Sequence, residues 1–491
     1  MKNTIYIVII IASFFMVSCL KDDGNYEYEN LAYVQEIKGI DEAYSIYQFE
    51  EELVVTPELT VGNSDFNKDD YDYKWYLIDY YLDKNVGVIK HDTIYISTNK
   101  DLRFTADATV PIKKMMCVFE VTSKRTGIVF KESTFLTVKN SYSYGSFILH
   151  QKGNNSELCL IKENEEIVED VYGIVTGGKI LAGKPKQMCH FYPNRDELLN
   201  IYTDQYPDYG AIFDFSKFEY LFPASVCFFG EIPKDADFQY MESDGTGFYS
   251  LVNNRYFYLN LMMGDKYRPY FEYNLPDFEE DVDYIGEAGL NILHGAETGQ
   301  LYSSGVWGIN VDFSSGGRKL VMPGKMLYMM SEPGGSMWSE DKARFYVQNG
   351  TSITEYGCSY GFNGSKYMFV YDLKSENEFV ASELIDENTL FSASNTEKYL
   401  FFTKDNVIYR YNYDDVTAKP VKFYEYPAGS QISYFKHGYD SEGERLEVGV
   451  YDNSGSDKNA SLYYLDRTGK VTKSYENICG KIADIVYKNS I

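Results

Sequence analysis

The chain has 491 residues and a formal charge of −27 at pH 7, with 73 acidic side chains against 46 basic ones. So acidic a surface repels phosphate backbones and anionic headgroups, which excludes nucleic acid as a partner. The length calls for two or three domains, and the seven cysteines contain no C-x-x-C spacing, so zinc-ribbon and thioredoxin-like chemistry are excluded as well.

Residues 1–18, MKNTIYIVIIIASFFMVS, carry one positive charge at Lys2, an apolar run from Ile5 to Val17 and a small residue at Ser18. This is the layout of a secretory signal peptide, and the run falls short of the about 20 apolar residues that span a bilayer. Removing it takes away Lys2 and brings the formal charge to −28. Met16, Val17, Ser18 and Cys19 resemble a bacterial lipobox, in which the cysteine becomes the lipid-bearing first residue of the mature chain. Lys21, Asp22 and Asp23 then resemble the acidic export tag of surface-exposed Bacteroidetes lipoproteins. The expectation is a chain held in the outer membrane by lipid at Cys19 alone and facing the medium, with an inward-facing lipoprotein as the alternative.

After a tether over residues 19–40, short alternating strands follow: LVVTPELTV from Leu53, YDYKWYL around Trp75, TIYISTNKDLRF, CVFEVTSKRTGIVF and STFLTV to Val138. Such a series over residues 41–139 predicts an antiparallel sandwich. Trp75 alternates with Tyr73 and Leu77, which makes it a core residue rather than a ligand site. The composition, with 48 Tyr and 31 Phe against 3 Trp, favours strands throughout.

From residue 140 to 491 the spacing lengthens. Hairpins begin at Phe147, Leu199, Tyr249, Phe345, Tyr399 and Leu446, each a strand, a turn rich in Asn, Asp or Gly, and a second strand. LYSSGVWGINV from Leu301 fills the one double gap as a degenerate copy. A repeat of about 50 residues built of paired strands predicts a β-propeller, here with seven blades. The apolar run GKIADIVYKNSI from Gly480 is expected to complete the blade begun near Phe147. The fold class is therefore all-β: a sandwich followed by a seven-bladed propeller.

The acidic start, GNYEYENL, GIDEAYSI, YDYKWYL, VTSKRTGIVF and the NSYSYGSFILHQK join together resemble the PKD-like family of Bacteroidetes lipoproteins, and YGIVTGGKILAGKP extends the likeness. The resemblance implies a PKD-like, immunoglobulin-type domain joined to a propeller. It further implies an accessory role beside a TonB-dependent SusC-type barrel and a SusD-type lipoprotein, in uptake of an oligosaccharide or oligopeptide.

No catalytic, cofactor or metal constellation is found in the sequence. His91, His150, His190, His294 and His437 are dispersed, and neither H-E-x-x-H nor G-x-S-x-G occurs. The acidic run DFEEDVDYIGE from Asp277 reads as a solvated loop, and DNSGSDKNAS from Asp452 as a hairpin turn without the Gly and distal Glu of a calcium loop. Apart from Cys19, the cysteines lie in apolar runs such as MMCVFEV and SVCFFG. Six cysteines in an exported chain permit disulfides, but this placement favours buried free thiols. Trp338 in EPGGSMWSED and Trp307 in SSGVWGIN are the candidates for ligand contact, since glycine-flanked rings can stand exposed; packing between blades is the competing fate. Accessory ligand binding is the leading expectation. A propeller hydrolase or lyase, and a purely structural importer subunit, are the alternatives.

Overall fold

The computed structural model describes residues 33–488 except 49, 63–66, 84–87, 108, 143, 192–196, 228–231, 244–246, 261–279, 288–290, 306–307, 311–318, 334–340, 364–367 and 441–442. The chain divides into two compact units, Met1–Ser141 and Tyr142–Ile491.

In the first unit a five-stranded sheet takes the order Ala43–Tyr47, Val129–Lys139, Lys114–Ser123, Tyr71–Asp83, Val88–Ser97. The first pair is parallel and the rest antiparallel. Two two-stranded ladders accompany it, Tyr33–Lys38 with Glu58–Gly62 and Glu52–Val55 with Leu102–Thr105. Period-two alternation along Tyr71–Asp83 sends Trp75 and Leu77 to one face, where both are fully buried with Phe119 and Leu136. Trp75 stacks on Phe119 with ring centroids 4.5 Å apart and donates its indole N–H to the Lys100 carbonyl at 3.1 Å. The indole thus buries its apolar area without stranding a donor.

Among the described residues the second unit holds seven sheets, which we number as blades. Blade 2 is Pro185–Phe191, Leu198–Thr203, Gly210–Asp214 and Glu219–Pro223; blade 3 has Phe238–Ser243, Gly247–Val252 and Arg255–Asn260. Blade 4 is Val282–Glu287, Asn291–Gly295, Leu301–Gly305 and Gly308–Asn310; blade 5 is Lys325–Ser331, Asp341–Asn349, Ser352–Asn363 and Met368–Glu378. Blade 6 is Phe391–Ala393, Tyr399–Lys404, Val407–Asn412 and Val421–Glu425; blade 7 is Ser430–Asp440, Gly443–Asp452, Ala460–Asp466 and Val471–Cys479. Blade 1 joins the two ends of the unit: Gly145–Lys152, Asn155–Ile161 and Ile167–Val168 pair in order, and Ile482–Lys488 adds to the free side of Gly145–Lys152.

Each blade buries its faces against its neighbours. Seven apolar clusters separate the blades, one per junction, including the cluster of Ile148, Cys159 and Ile161 of blade 1 with Ala460, Leu462 and Ile478 of blade 7. A single sheet could not exclude water from both faces; a closed ring does, and it also covers most strand edges.

The hairpins starting at Phe147, Leu199, Tyr249, Phe345, Tyr399 and Leu446 are the second and third strands of their blades. In blade 3 the turn is Asn253–Asn254, both with positive φ (50° and 61°), the backbone that a two-residue type I′ turn requires. The copy at Leu301 is displaced by one strand. Leu301–Gly305 and Gly308–Asn310 are the third and fourth strands of blade 4, and its second strand is Asn291–Gly295. That strand escapes a hairpin search because AETGQ, rather than a tight Asn or Asp turn, separates it from Leu301. The acidic run from Asp277 is also corrected in part: residues 277–279 lie outside the described set, but Val282–Glu287 is a strand. Cys117, Cys159, Cys189, Cys358 and Cys479 are free and buried.

Closure depends on a close approach. Gly480, just before the last strand, passes so near the Gln151 carbonyl that a Cβ there would lie 1.9 Å from its oxygen, and its N–H donates to His150 Nδ1 at 3.2 Å. Removing the chain after Gly480 strips blade 1 of Ile482–Lys488. The second unit is then expected to lose its cooperative thermal transition, read by scanning calorimetry; unchanged melting would count against closure by this strand.

Candidate functional site

The first strand of each of blades 2–7 and the last strand of the chain, in blade 1, line a central channel of about 760 Å³. These seven strands share a local pattern, apolar–x–polar–apolar: Pro185-Lys-Gln-Met, Phe238-Gln-Tyr-Met, Val282-Asp-Tyr-Ile, Met326-Leu-Tyr-Met, Leu390-Phe-Ser-Ala, Ile432-Ser-Tyr-Phe and Ile482-Ala-Asp-Ile. In six of them the second residue is skipped in the ladder register: Lys186, Gln239, Asp283, Leu327, Ser433 and Ala483. Such a bulge bends the strand and re-aims the side chain that follows it. The re-aimed residues include Gln187, Tyr240, Tyr284, Tyr328 and Asp484, all in the channel wall.

Several of these third-position side chains bind the next blade. Asp484 of blade 1 accepts the Met188 N–H at 2.8 Å. Gln187 of blade 2 donates to the Met241 carbonyl at 2.6 Å and accepts its N–H at 2.9 Å. The backbone of Met329 hydrogen-bonds Tyr284 and Tyr328 accepts the Ala393 N–H at 3.1 Å, while Asp283, from the bulged second position, accepts the Met326 N–H at 3.3 Å. Ser392 accepts the His437 N–H at 3.0 Å. The latches run in one direction around the ring, so one residue class both satisfies backbone donors and paints the channel.

The wall is mixed in chemistry. Glu242 of blade 3 receives the Tyr240 hydroxyl. Burial pushes the Tyr284 phenol far above its ordinary range and Tyr328 up to about 12, and for both the Glu242 carboxylate adds to the push. Asp484 is raised, chiefly by burial, while Lys436 of blade 7 and the N–H groups of Met188 and Ile485 oppose the rise. His437 is pushed down to about 4 by burial, so it is neutral at ordinary pH, and its Nδ1 lies 2.8 Å from Ser392 Oγ. His190 contacts Glu197 at 2.9 Å. Glu197 also holds the buried Lys488 ammonium at 2.6 Å, fastening the closing strand to blade 2.

The residues singled out in the sequence fare differently. Cys19, Lys21, Asp22 and Asp23 lie outside the described residues, as do Trp307 and Trp338. Of the histidines, His190 and His437 reach the channel. His294, in the second strand of blade 4, is fully buried, with Asp283 at 2.5 Å on one ring nitrogen and the Met322 carbonyl at 2.9 Å on the other. Asp452 caps its own hairpin through the Ser454 N–H at 2.9 Å. Among the described residues no three metal-ligating side chains converge. The channel residues Gln187, Tyr240, Glu242, Tyr284, Tyr328, Lys436 and Asp484 were missed by the motif search. The repeated apolar–x–polar–apolar tetrad is the signal that finds them.

A PKD-like family model matches residues 19–185, about a third of the chain, ending where the inner strand of blade 2 begins. It supports a PKD-like domain in the first unit. No curated protein matches. Solved structures with a similar fold include a quinonprotein alcohol dehydrogenase-like protein of Bacteroides thetaiotaomicron, at 13% identity and TM-score 0.43 over 94% of this chain and 99% of that one. AztD of Citrobacter koseri matches at 11% identity and TM-score 0.34, over 86% of this chain and all of that one. The extracellular domain of a putative one-component system of B. thetaiotaomicron matches at 9% identity and TM-score 0.37, over 90% and 67%. At this similarity none of the three bears on function.

Two outcomes test the latch geometry. Gln187→Leu leaves the Met241 N–H and carbonyl without their side-chain partner and is expected to cost about 2 kcal/mol in urea unfolding. Because the His437 pKa falls on folding, its stabilising contribution is complete above pH 6.5 and is lost as pH drops towards 4. His437→Gln is therefore expected to show a smaller decrease in melting temperature between pH 7 and pH 4.5 than the parent chain.

Proposed function

We propose that this protein is a lipid-anchored ligand-binding subunit on the outer face of the outer membrane, accessory to a SusC/SusD-type importer of oligomeric glycan or peptide. The observation that carries the binding reading is the channel, whose wall is built from hydrogen-bonded inner strands and combines phenol rings, carboxylates and an ammonium group. Rigid walls of this kind hold a ligand at little ordering cost. The surface reading is supported by the lipobox at Met16–Cys19 and by the start of the PKD-like match at Cys19 itself. Contact with protein partners is supported by the sandwich, where Tyr80, Ile89, Tyr95 and Phe135 stand exposed on one face.

A second reading, a cell-surface hydrolase, draws on the Ser392–His437 contact, since a neutral imidazole 2.8 Å from a hydroxyl is a nucleophile–base arrangement. Against it, Ser392 already accepts a backbone N–H across a blade junction. Covalent labelling of Ser392 by a fluorophosphonate would favour the hydrolase.

Mild detergent extraction of the tagged chain from native outer membranes, followed by mass spectrometry, is expected to recover a TonB-dependent barrel and a SusD-type lipoprotein in stoichiometric amounts. Cys19→Ala is expected to release the chain into the soluble fraction. Recovery of the chain alone would remove the importer role.

A further inference from the structure

Blades 3, 4 and 5 contribute Tyr240, Tyr284 and Tyr328 to consecutive positions of the channel wall, each on the residue after a bulge. Glu242, two residues beyond Tyr240, stands among them: the Tyr240 hydroxyl donates to it, and its charge is felt at both Tyr284 and Tyr328. Lys436 belongs to blade 7, three steps from blade 3 one way round the ring and four the other, the greatest separation seven blades allow. The Lys436 charge acts on Asp484, opposing the rise that burial causes there. One side of the channel is thus a carboxylate within an arc of phenol rings, and the far side carries the Lys436 ammonium and the Asp484 carboxyl group.

Resting on the binding reading above, we propose that the channel selects oligomers carrying a cationic group, such as the amine or guanidinium of a basic peptide, and seats that group on Glu242 within the Tyr240, Tyr284 and Tyr328 arc. Three physical facts carry this. A cation gains from a ring face and from a carboxylate together, and gains more where protein rather than water surrounds them. Among the described residues the lining holds two carboxylates and one ammonium, so an anionic ligand would meet net repulsion. The charge of −27 draws cations towards the protein before they reach the channel. A neutral glycan would stack on the same rings but make no use of Glu242.

Calorimetric titration of the full chain with trilysine, triglutamate and maltoheptaose, at two salt concentrations, tests the assignment. Trilysine is expected to bind at least tenfold more tightly than the other two and to weaken as salt rises. Glu242→Gln keeps an acceptor for Tyr240 and is expected to weaken trilysine at least tenfold, while Lys436→Gln, which removes the one ammonium of the described lining, is expected to strengthen it. Equal affinity of trilysine for the parent and Glu242→Gln would overturn the proposal. Tight maltoheptaose or triglutamate binding without trilysine binding would overturn the cationic assignment and leave the binding reading standing. A chain that takes none of the three overturns both.

Discussion

The second unit depends on one long-range pairing, that of Ile482–Lys488 with Gly145–Lys152. A strand made at the end of the chain supplies the inner wall of the first blade, so residues over 300 positions apart become neighbours. The loop entropy of so distant a contact is recovered only when the whole ring is present, because each blade junction is an apolar cluster shared by two blades. Two polar side chains fix the closing strand in place. Asp484 reaches the Met188 N–H and Lys488 reaches Glu197 and the Phe215 carbonyl, all in blade 2 or at its rim.

Closure and the lining of the channel share the same residues. A bulge at the second position of most inner strands turns the third side chain towards the neighbouring blade and the channel at once. Gln187, Tyr284, Tyr328 and Asp484 use their polar atoms on the neighbouring backbone and leave the rest of the side chain to the wall. Substituting them therefore changes blade packing and the channel wall together. Glu242 and Lys436 follow the latch positions along the strand, which lets channel charge vary without loosening the ring.

The middle hairpins were legible in the sequence because their two strands are buried on both faces and joined by short turns. Leu198–Thr203 is buried at every position, and Asn253–Asn254 is a turn signal by itself. Blade 4 hid its second strand because a five-residue connection replaced the tight turn. The inner strands left a fainter trace: a bulge breaks their period of two, and a wall facing an aqueous channel tolerates Gln, Tyr, Ser or Asp at the same position. Only the recurrence of the tetrad, aligned on the ladder register, makes them stand out.

By itself the amino-acid sequence determined an all-β chain with a sandwich ahead of a repeat of hairpins, since strand periodicity and turn chemistry are local properties. The resemblance of Met16–Cys19 to a lipobox and of Lys21–Asp23 to an export tag is local as well. Only the tertiary structure decided how the ring is closed, where each inner strand is bulged and which residues meet in the channel. Glu242 and Lys436 lie 194 positions apart in the sequence, and no local pattern relates them. They come to opposite walls of one cavity because seven blade junctions pack in turn and the last strand returns to the first.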